Sequence, residues 1–286
     1  MYDFAVIGGD FRQVYLAGYL KEHRYRVIVY GVEKKNLNKE CVYAKSLEEA
    51  VEESHCVIGP VLFSKDGVFL TSQRENIRVH DFLRYLKEGQ SLFGGCISEE
   101  VQKVCEKKGV LVHDFMKMDD VAIYNAIATA EGAIVKAMER KPVNLHGSYC
   151  LVLGYGRCGR VLAGKLKGLN ARVTICARSE TARSQGEADG FDTMQFFDVA
   201  RQIVRFDYIF NTVPAKVLTE KILKRAGKDL CIVDIASFPG GVDQKAAEKF
   251  GIQSYLCPSL PGIYAPKSSG IRLAEKVLEW KGKEDR

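Results

Sequence analysis

Short apolar runs alternate with amphipathic stretches along the chain, a pattern typical of parallel α/β architecture. In the first half this pattern predicts strands at Phe4–Ile7, Val27–Tyr30, Cys56–Ile58, Ser91–Phe93 and Val110–Val112. It predicts helices between them at Phe11–Lys21, Ser46–Ser54, His80–Lys87 and Ser98–Lys107. The segment from Pro60 to Val79 breaks the rhythm, and we interpret it as an inserted loop or hairpin.

The alternation restarts after a long helical pattern that runs from about Asp120 to Arg140. Pro142 ends this pattern, because a proline disfavours the helical region for the residue before it. Further strands are predicted at Tyr149–Leu153, Arg172–Ala177, Tyr208–Asn211, Cys231–Ile235 and Gln253–Leu256, and a last helix at about Lys267–Trp280. We interpret the long helix as a bridge between two domains.

These elements indicate an α/β protein of two doubly wound parallel-sheet domains, similar in plan to the formate/glycerate dehydrogenases. We place an N-terminal substrate and catalytic domain at residues 1–140 and a Rossmann NADP-binding domain at residues 141–265. By analogy with two-domain dehydrogenases of this shape, the final helix at residues 266–286 is expected to join the first domain.

Composition and charge narrow the classes of function. Hydrophobic residues make up 47% and charged residues 27%, as in ordinary globular proteins. With no apolar run long enough to span a bilayer and no visible export signal, we expect a cytoplasmic protein that does not enter a membrane. The net charge of +6 forms no basic stripe, which argues against nucleic-acid binding. The nine cysteines are an odd count without a disulfide framework, which favours a reducing cytosol, and they lack C-x-x-C spacing, which argues against a zinc site.

A glycine-rich turn in the second half predicts a dinucleotide site. The stretch Gly154-Tyr155-Gly156-Arg157-Cys158-Gly159 fits G-x-G-x-x-G between an apolar strand and an amphipathic helix. The three glycines would permit the tight turn, the approach of a pyrophosphate and close helix–strand packing, in that order. The helix N-terminus then faces the phosphates. The alternative is a tight turn that binds nothing.

The end of the next strand bears on which dinucleotide is bound. An NAD site carries an acid about 20 residues past the glycines, where this chain has Ala177-Arg178-Ser179. A guanidinium and a hydroxyl there suit a 2′-phosphate and favour NADP. A solvent-facing arginine is the alternative.

Two later strand ends are expected to complete the coenzyme crevice, since ligands bind at the carboxyl ends of strands in open α/β sheets. Asn211-Thr212-Val213-Pro214 is predicted to line the ribose or the nicotinamide. Asp234 and Ser237 are predicted to meet the nicotinamide amide. A role in turn formation competes for Pro214.

The first strand runs into a second glycine turn, Gly8-Gly9-Asp10, which lacks the dinucleotide spacing. Its backbone donors, with Arg12 and Gln13 in the following helical turn, suit a small carboxylate better than a pyrophosphate. Gly9, Asp10, Arg12 and Gln13 are therefore candidate substrate contacts. Alternatively, Asp10 only caps the helix and Arg12 is solvated.

Two further elements carry candidate chemistry. Asp120, Tyr124, Ile127 and Glu131 share one face of the long helix, with Asn125 nearby, and this face is expected at the interdomain cleft. The last helix begins with Lys267, Ser268 and Ser269, which form an anion-friendly N-terminus. We take Asp120, Tyr124 and Lys267 as candidate catalytic residues, and Asn125, Glu131, Ser268 and Ser269 as candidate substrate contacts. Structural hydrogen bonding is the competing role.

Taken in order, these motifs resemble the family of dipicolinate synthase A subunits of endospore-forming bacteria. The resemblance rests on VIGGDFRQ, DDVAIYNAIATAEGAI, VLGYGRCGR, ARS, NTVP, DIASFPGGVD and LPGIYAPKSSG, and it covers nearly the whole chain except the 60–79 segment.

The resemblance implies an NADP-linked oxidation of dihydrodipicolinate to dipicolinate in the mother-cell cytoplasm during sporulation. It also implies a flavoprotein-like second subunit (the B subunit of the synthase), and we expect homo-oligomers within that hetero-complex. A pyridine with two carboxylates fits two separate anion-binding clusters, one at Arg12 and one at Lys267. Two alternatives are an accessory subunit that binds NADP without catalysis and another NADP dehydrogenase of the shikimate or imino-acid type.

Overall fold

The computed structural model describes residues 1–284, which form two compact units. The N-terminal unit comprises Met1–Tyr124 with the described part of Ala265–Arg286, and the central unit comprises Asn125–Tyr264. Each unit holds a parallel six-stranded sheet with interleaved helices, which confirms the predicted fold class. The predicted end of the last helix at residue 286 lies outside the described residues.

The sheet of the N-terminal unit has the strand order β3-β2-β1-β4-β5-β6. Its strands are β1 (Tyr2–Ile7), β2 (Val27–Tyr30), β3 (Val42–Tyr43), β4 (Ser54–Ile58), β5 (Ser91–Gly94) and β6 (Leu111–Asp114). Its helices are α1 (Phe11–Glu22), α2 (Leu47–Glu52), α3 (Val79–Tyr85), α4 (Glu99–Lys107), the first turns of α5 (Asp119–Arg140) and α12 (Pro266–Glu284). The chain reverses its winding between β1 and β4, the place where such sheets bind ligands.

The sheet of the central unit has the order β12-β11-β10-β7-β8-β9. Its strands are β7 (Tyr149–Leu153), β8 (Arg172–Cys176), β9 (Asp192–Met194), β10 (Tyr208–Asn211), β11 (Cys231–Asp234) and β12 (Gln253–Leu256). Its helices are the rest of α5, α6 (Arg157–Gly168), α7 (Glu180–Ala188), α8 (Phe196–Gln202), α9 (Glu220–Leu223), α10 (Gln244–Phe250) and α11 (Leu260–Tyr264). The corresponding switch point lies between β7 and β10.

Burial explains why the central strands were visible in the sequence. Phe4–Ile7 of β1 and Leu151–Leu153 of β7 are fully buried, because helices cover both faces of each sheet. The edge strands β3 and β9, of two and three residues, carry no such run and were missed. The 60–79 segment is irregular up to residue 78, with isolated bridges only, and one of these joins Ser72 to Gly9.

The ring of His113 in β6 stacks on Phe93 at 4.5 Å and lies 4.9 Å from the ring of Trp280 in α12. Its Nε2 atom is buried and has no hydrogen-bond partner among the described residues. Desolvation therefore lowers the pKa of His113 below its usual value of 6.5. The folded N-terminal unit thus holds His113 neutral at a pH where the unfolded chain would bind a proton.

The free energy of unfolding should consequently fall as the pH drops below about 6.5, the pKa of an unfolded histidine, because the unfolded state then binds more protons. We expect the fall in the parent protein and not in His113→Phe, measured by urea unfolding between about pH 5 and about pH 6.5. Trp280 is the sole tryptophan, so its fluorescence reports this unit directly. The control is His80→Gln, since that side chain is 86% exposed. Equal pH dependence in all three proteins would contradict the assignment.

Candidate functional site

The turn between β7 and α6 contains two glycines at positions where the surrounding protein leaves no room for a side chain. Gly154 has φ +91°, and an added Cβ would lie 2.4 Å from the Thr212 Oγ1 atom. A Cβ on Gly159 would lie 2.2 Å from the Gly154 carbonyl oxygen. Both positions therefore exclude larger residues for steric reasons alone, and they bring the β7 end against the β10 end.

Gly156 differs, because no contact within the protein explains it. Its φ of −84° is accessible to any residue, and an added Cβ would meet no atom within 4 Å. Gly156 is the N-cap of α6, and no side chain caps that helix end. No side chain therefore caps the amides of the first helical turn, and these amides lie next to an open space. This cradle fits a pyrophosphate, which would fill the volume that a side chain would take.

The three residues between the glycines of this turn are Tyr155, Arg157 and Cys158, and they differ in burial and in their contacts. The Tyr155 hydroxyl donates a hydrogen bond to Asp189 Oδ2 at 2.5 Å. Burial, reinforced by the Asp189 carboxylate, raises the pKa of Tyr155 to about 12, so its side chain is a structural anchor. Burial also raises the pKa of the Cys158 thiol. Arg157 is exposed in the first turn of α6.

Asn211 and Asp234 end neighbouring strands, and both are fully buried. The Asn211 Nδ2 atom donates to Asp234 Oδ1 at 2.8 Å and to the Val213 carbonyl at 3.1 Å. The amides of Ala236 and Gly241 donate to the Asp234 carboxylate. These bonds give Asp234 a structural role in place of the predicted contact with the nicotinamide amide.

The other residues of these two strand ends remain accessible in part. Thr212 is half-buried and donates from Oγ1 to the Leu153 carbonyl at 2.8 Å. Val213 is half-buried, whereas Pro214 and Ser237 are exposed. The Asn211–Asp234 pair thus fixes the backbone of both loops, and the loop residues themselves form the surface at this edge of the sheet.

The β8 end carries the residues predicted to select the coenzyme. Ala177 is buried, while Arg178 and Ser179 are exposed. The Ser179 Oγ atom caps α7 by accepting from the Ala182 amide, and Arg183 donates to the carbonyls of Ala177 and Arg178. Arg183, which the sequence did not single out, therefore braces this loop. No described residue is hydrogen-bonded to or ion-paired with the Arg178 guanidinium.

The Gly8-Gly9 turn of the N-terminal unit is closed by the chain itself. The Gly8 amide donates to the Tyr30 carbonyl at 2.8 Å, and the Gly9 amide donates to the Thr71 carbonyl at 2.7 Å. The prediction that this turn offers free backbone donors to a substrate is therefore wrong for both glycines. The acceptor at Gly9 belongs to the 60–79 segment, whose path the sequence did not reveal.

The residues after Gly9 form a capping box. The Asp10 side chain accepts from the helix amides, and Gln13 Oε1 accepts from the Asp10 amide at 3.1 Å. Gln13 is fully buried, and its Nε2 donates to the Gly59 carbonyl. Arg12 is 5% exposed, and its Nε and one terminal nitrogen grip the Asp10 carboxylate at 2.8–3.2 Å. Asp10 and Gln13 thus position Arg12 and leave its other terminal nitrogen unengaged by Asp10.

A further part of this edge was missed in the sequence. Cys96 follows β5 in the left-handed region, with φ +54°. The buried Asp114 carboxylate holds that loop by accepting from the amides of Cys96 and Ile97 at 3.1 and 3.0 Å. A Cβ on Gly95 would lie 2.3 Å from the Val61 carbonyl, so the β4 and β5 ends are tightly joined. A positive φ at a non-glycine residue has no signal in the sequence.

The start of α12 packs on the start of α1. A Cβ on Gly270 would lie 2.3 Å from the Arg12 carbonyl, and Lys281 lies over the ring of Tyr25 beyond the end of α1. The two helices therefore run parallel, with both positive ends at the same edge. Ser269 is 5% exposed, and its hydroxyl has no hydrogen-bond partner among the described residues. Lys267 and Ser268 are exposed beside it.

The polar residues of α5 are mostly exposed. Asp120 accepts from Lys276 Nζ at 2.8 Å and from Arg272 at 3.2 Å, and these contacts lower its pKa, with the Lys276 hydrogen bond as the largest cause. Tyr124 lies 6.0 Å from the Arg272 guanidinium.

The other two predicted residues of this helix belong to the central unit. Asn125 is half-buried, and its carbonyl accepts from the Thr129 hydroxyl. Glu131 is exposed and pairs with Lys165 Nζ at 2.8 Å. The described residues hold no cluster of metal-ligating side chains, and none of their helices is both long and apolar enough to cross a bilayer.

Two family models match this chain, one in its N-terminal part and one in its central part. Residues 3–116 match the model of the N-terminal domain of the dipicolinate synthase A subunit, and residues 120–231 match that of the NAD-binding domain of D-isomer specific 2-hydroxyacid dehydrogenases. The dipicolinate synthase A subunit of Bacillus subtilis (strain 168) is 31% identical over 274 residues, which are 94% of this chain and 92% of that protein. The chain belongs to the family of dipicolinate synthase A subunits.

Two crystal structures of the family share the whole architecture. That of the dipicolinate synthase A subunit from Bacillus halodurans superposes with a TM-score of 0.86 at 27% identity and covers 97% of both chains. That of the Bacillus subtilis protein also gives 0.86, at 28% identity, over 99% of this chain and 96% of the other. The family and its dehydrogenase domain support an oxidoreductase with a nicotinamide dinucleotide coenzyme, and membership of a family of A subunits implies a partner.

Proposed function

We propose that this chain is the dehydrogenase subunit of a dipicolinate synthase and oxidises dihydrodipicolinate to dipicolinate with NADP. It would act in the mother-cell cytoplasm during sporulation, with a flavoprotein-like second subunit. The observation that carries the proposal is the open cradle at Gly156 in a chain that matches the family over nearly its whole length.

The proposed reaction converts a non-aromatic ring into a pyridine. NADP⁺, when bound, supplies the hydride acceptor. A hydride leaves an sp³ ring carbon, and a proton leaves the neighbouring ring atom, so the products are the pyridine dicarboxylate, NADPH and a proton. The gain of aromaticity favours the forward direction. The chain mainly has to hold and orient the ring relative to the coenzyme.

In this proposal, the residues that follow β8 determine whether NADP or NAD is bound. Arg178 is exposed with no described partner, and Ser179 stands beside it, so a guanidinium and a hydroxyl are available for a 2′-phosphate. We expect Arg178→Ala to weaken NADP binding by roughly 10- to 100-fold, equivalent to a charged hydrogen bond of about 1.5–3 kcal/mol. NAD binding should change less than about threefold.

Isothermal titration of both coenzymes measures this difference. The matched control is Arg201→Ala, because that exposed arginine of the same unit pairs with Asp198 away from the β8 loop. A parallel loss of NADP and NAD affinity in Arg178→Ala would exclude the 2′-phosphate contact and would favour an NAD enzyme.

The dicarboxylate is assigned to the N-terminal unit. Arg12 keeps one terminal nitrogen that Asp10 does not engage, and the buried Ser269 hydroxyl on the adjacent helix lacks a described partner. The parallel α1 and α12 place two positive helix ends there, with Ser268 and Lys267 exposed beside them. We therefore propose that these groups bind the carboxylates, while Gly9, Asp10 and Gln13 position Arg12.

Asp120 is a weaker candidate for proton transfer than the sequence predicted. Its two cations stabilise the carboxylate, which makes it a weaker base than a free aspartate. This leaves Tyr124, exposed on the same helix, as the candidate of α5 for proton transfer.

One assay tests the reaction. The purified chain, with and without the second subunit, is mixed with NADP⁺ and freshly generated dihydrodipicolinate, and the absorbances of NADPH and of the pyridine are followed together. We expect both to rise with the same rate constant. NADPH without the pyridine would show a different dehydrogenase of the shikimate or imino-acid type. Coenzyme binding without turnover under both conditions would show an accessory role.

A further inference from the structure

The side chain of Arg183 ties the loop that follows β8 to the helix α7 that comes after it. Its Nη1 atom donates hydrogen bonds to the Ala177 carbonyl at 3.1 Å and to the Arg178 carbonyl at 2.9 Å. These two carbonyls belong to the peptide groups on either side of the Arg178 Cα atom, so one nitrogen restrains both. Because Arg178 is exposed, the direction of its side chain depends on how firmly this backbone is held.

Helix α7 keeps Arg183 in a fixed place relative to the sheet. Gly186, three residues further along, is buried, and an added Cβ there would lie 3.2 Å from the Thr193 methyl carbon and 3.6 Å from Ile175. The Thr193 hydroxyl donates to the Glu187 carboxylate at 2.7 Å, which ties the same helix to β9. The guanidinium of Arg183 therefore reaches the loop from a rigid base.

The charges beside this loop suit a phosphate only because two arginines are present. The carbonyl oxygens of Ala177 and Arg178 carry partial negative charges, and Glu180 in the first turn of α7 adds a full one. Arg183 donates to both carbonyl oxygens and offsets their partial charges, and its positive charge balances that of Glu180. The guanidinium of Arg178 is then available for an added anion.

We propose that Arg183 is a positioning residue for coenzyme selection, which fixes the backbone on both sides of Arg178 and so holds the Arg178 guanidinium in place for the 2′-phosphate of NADP. The inference rests on the proposed binding of NADP after β8. Arg183 acts through Arg178 and does not touch the coenzyme. A loop that is ordered before binding spares the complex the entropy cost of ordering it.

Isothermal titration of NADP and NAD into Arg183→Met tests this role. We expect the dissociation constant for NADP to rise about tenfold, or about 1.4 kcal/mol, which is the order of the cost of fixing the backbone of one residue. The constant for NAD should change less than about twofold, because NAD has no 2′-phosphate for Arg178 to bind. The matched control is Arg201→Met, whose arginine pairs with Asp198 on α8, and both constants should stay unchanged there.

A double-mutant cycle with Arg178→Ala separates positioning from direct contact. If Arg183 acts through Arg178, Arg183→Met should change the NADP constant less than about twofold once residue 178 is alanine. Arg183→Lys should raise the NADP constant only about threefold, since an ammonium group can still reach one of the two carbonyls. If thermal unfolding shows that Arg183→Met does not fold, Arg183→Lys replaces it in the cycle.

The outcomes that overturn the proposal differ from one another. Parallel losses of NADP and NAD affinity in Arg183→Met would leave Arg183 a structural brace without selectivity. Additive effects of the two substitutions would mean that Arg183 contacts the coenzyme itself. A selective loss of NADP affinity in Arg178→Ala but none in Arg183→Met would overturn this inference alone. If Arg178→Ala shows no selective loss, the proposed coenzyme choice fails and the inference fails with it.

Discussion

Replacing Gly156 by alanine is expected to raise the dissociation constant for the coenzyme by about 100-fold or more without changing the stability of the coenzyme-free protein. The added methyl group would meet no protein atom within 4 Å, and the backbone at this position is accessible to alanine. It would, however, occupy the space beside the first turn of α6, which no side chain caps and where a pyrophosphate must approach closely. Isothermal titration measures the affinity, and thermal unfolding measures the stability.

The matched control is Gly164→Ala on the same helix, where an added Cβ also meets nothing. Coenzyme affinity should be unchanged in this variant, because residue 164 lies two turns beyond the helix N-terminus. Gly159→Ala should lose stability as well as affinity, since its methyl group would collide with the Gly154 carbonyl. Unchanged coenzyme affinity in Gly156→Ala would exclude the coenzyme from this turn.

The two glycine turns show what the sequence can and cannot predict. Both were visible as a strand followed by glycines and a helix, and their local conformation followed from the residue types. Whether a turn keeps its amides for a ligand depends on segments far away in the chain. Thr71 closes the turn at Gly9, while no such segment covers Gly156 among the described residues. The irregular 60–79 segment has no periodicity from which this path could have been predicted.

The rule that ligands bind at the carboxyl ends of parallel strands predicted where Asn211 and Asp234 lie, but not which way their side chains point. Asn211 and Asp234 lie at neighbouring strand ends, as parallel pairing requires. Their side chains turn towards each other and not outward, because a buried carboxylate is stabilised by the amide of Asn211 and by two loop amides. A single sequence contains no information on this choice, since either residue type is also common in ligand contacts.

Replacing Arg12 by methionine is expected to lower the free energy of unfolding of the N-terminal unit by about 2 kcal/mol, between the loss for a surface ion pair and the loss for a fully buried one. The side chains of Arg12 and Asp10 are 6% and 18% exposed, so the Asp10 carboxylate would lose its cation at a site that is only partly open to water. Urea unfolding followed by the fluorescence of Trp280 measures the loss, because that residue lies in the same unit.

The double variant Asp10→Asn with Arg12→Met separates structure from binding. Asparagine caps a helix about as well as aspartate, so the double variant should recover most of the stability that Arg12→Met loses. If Arg12 also binds a substrate carboxylate, the stable double variant should still show a raised KM for the diacid. Full recovery of both stability and KM in the double variant would confine Arg12 to the capping box. In the single variant Arg12→Met, a loss of unfolding free energy below about 1 kcal/mol would mean that the pair is as weak as a surface ion pair.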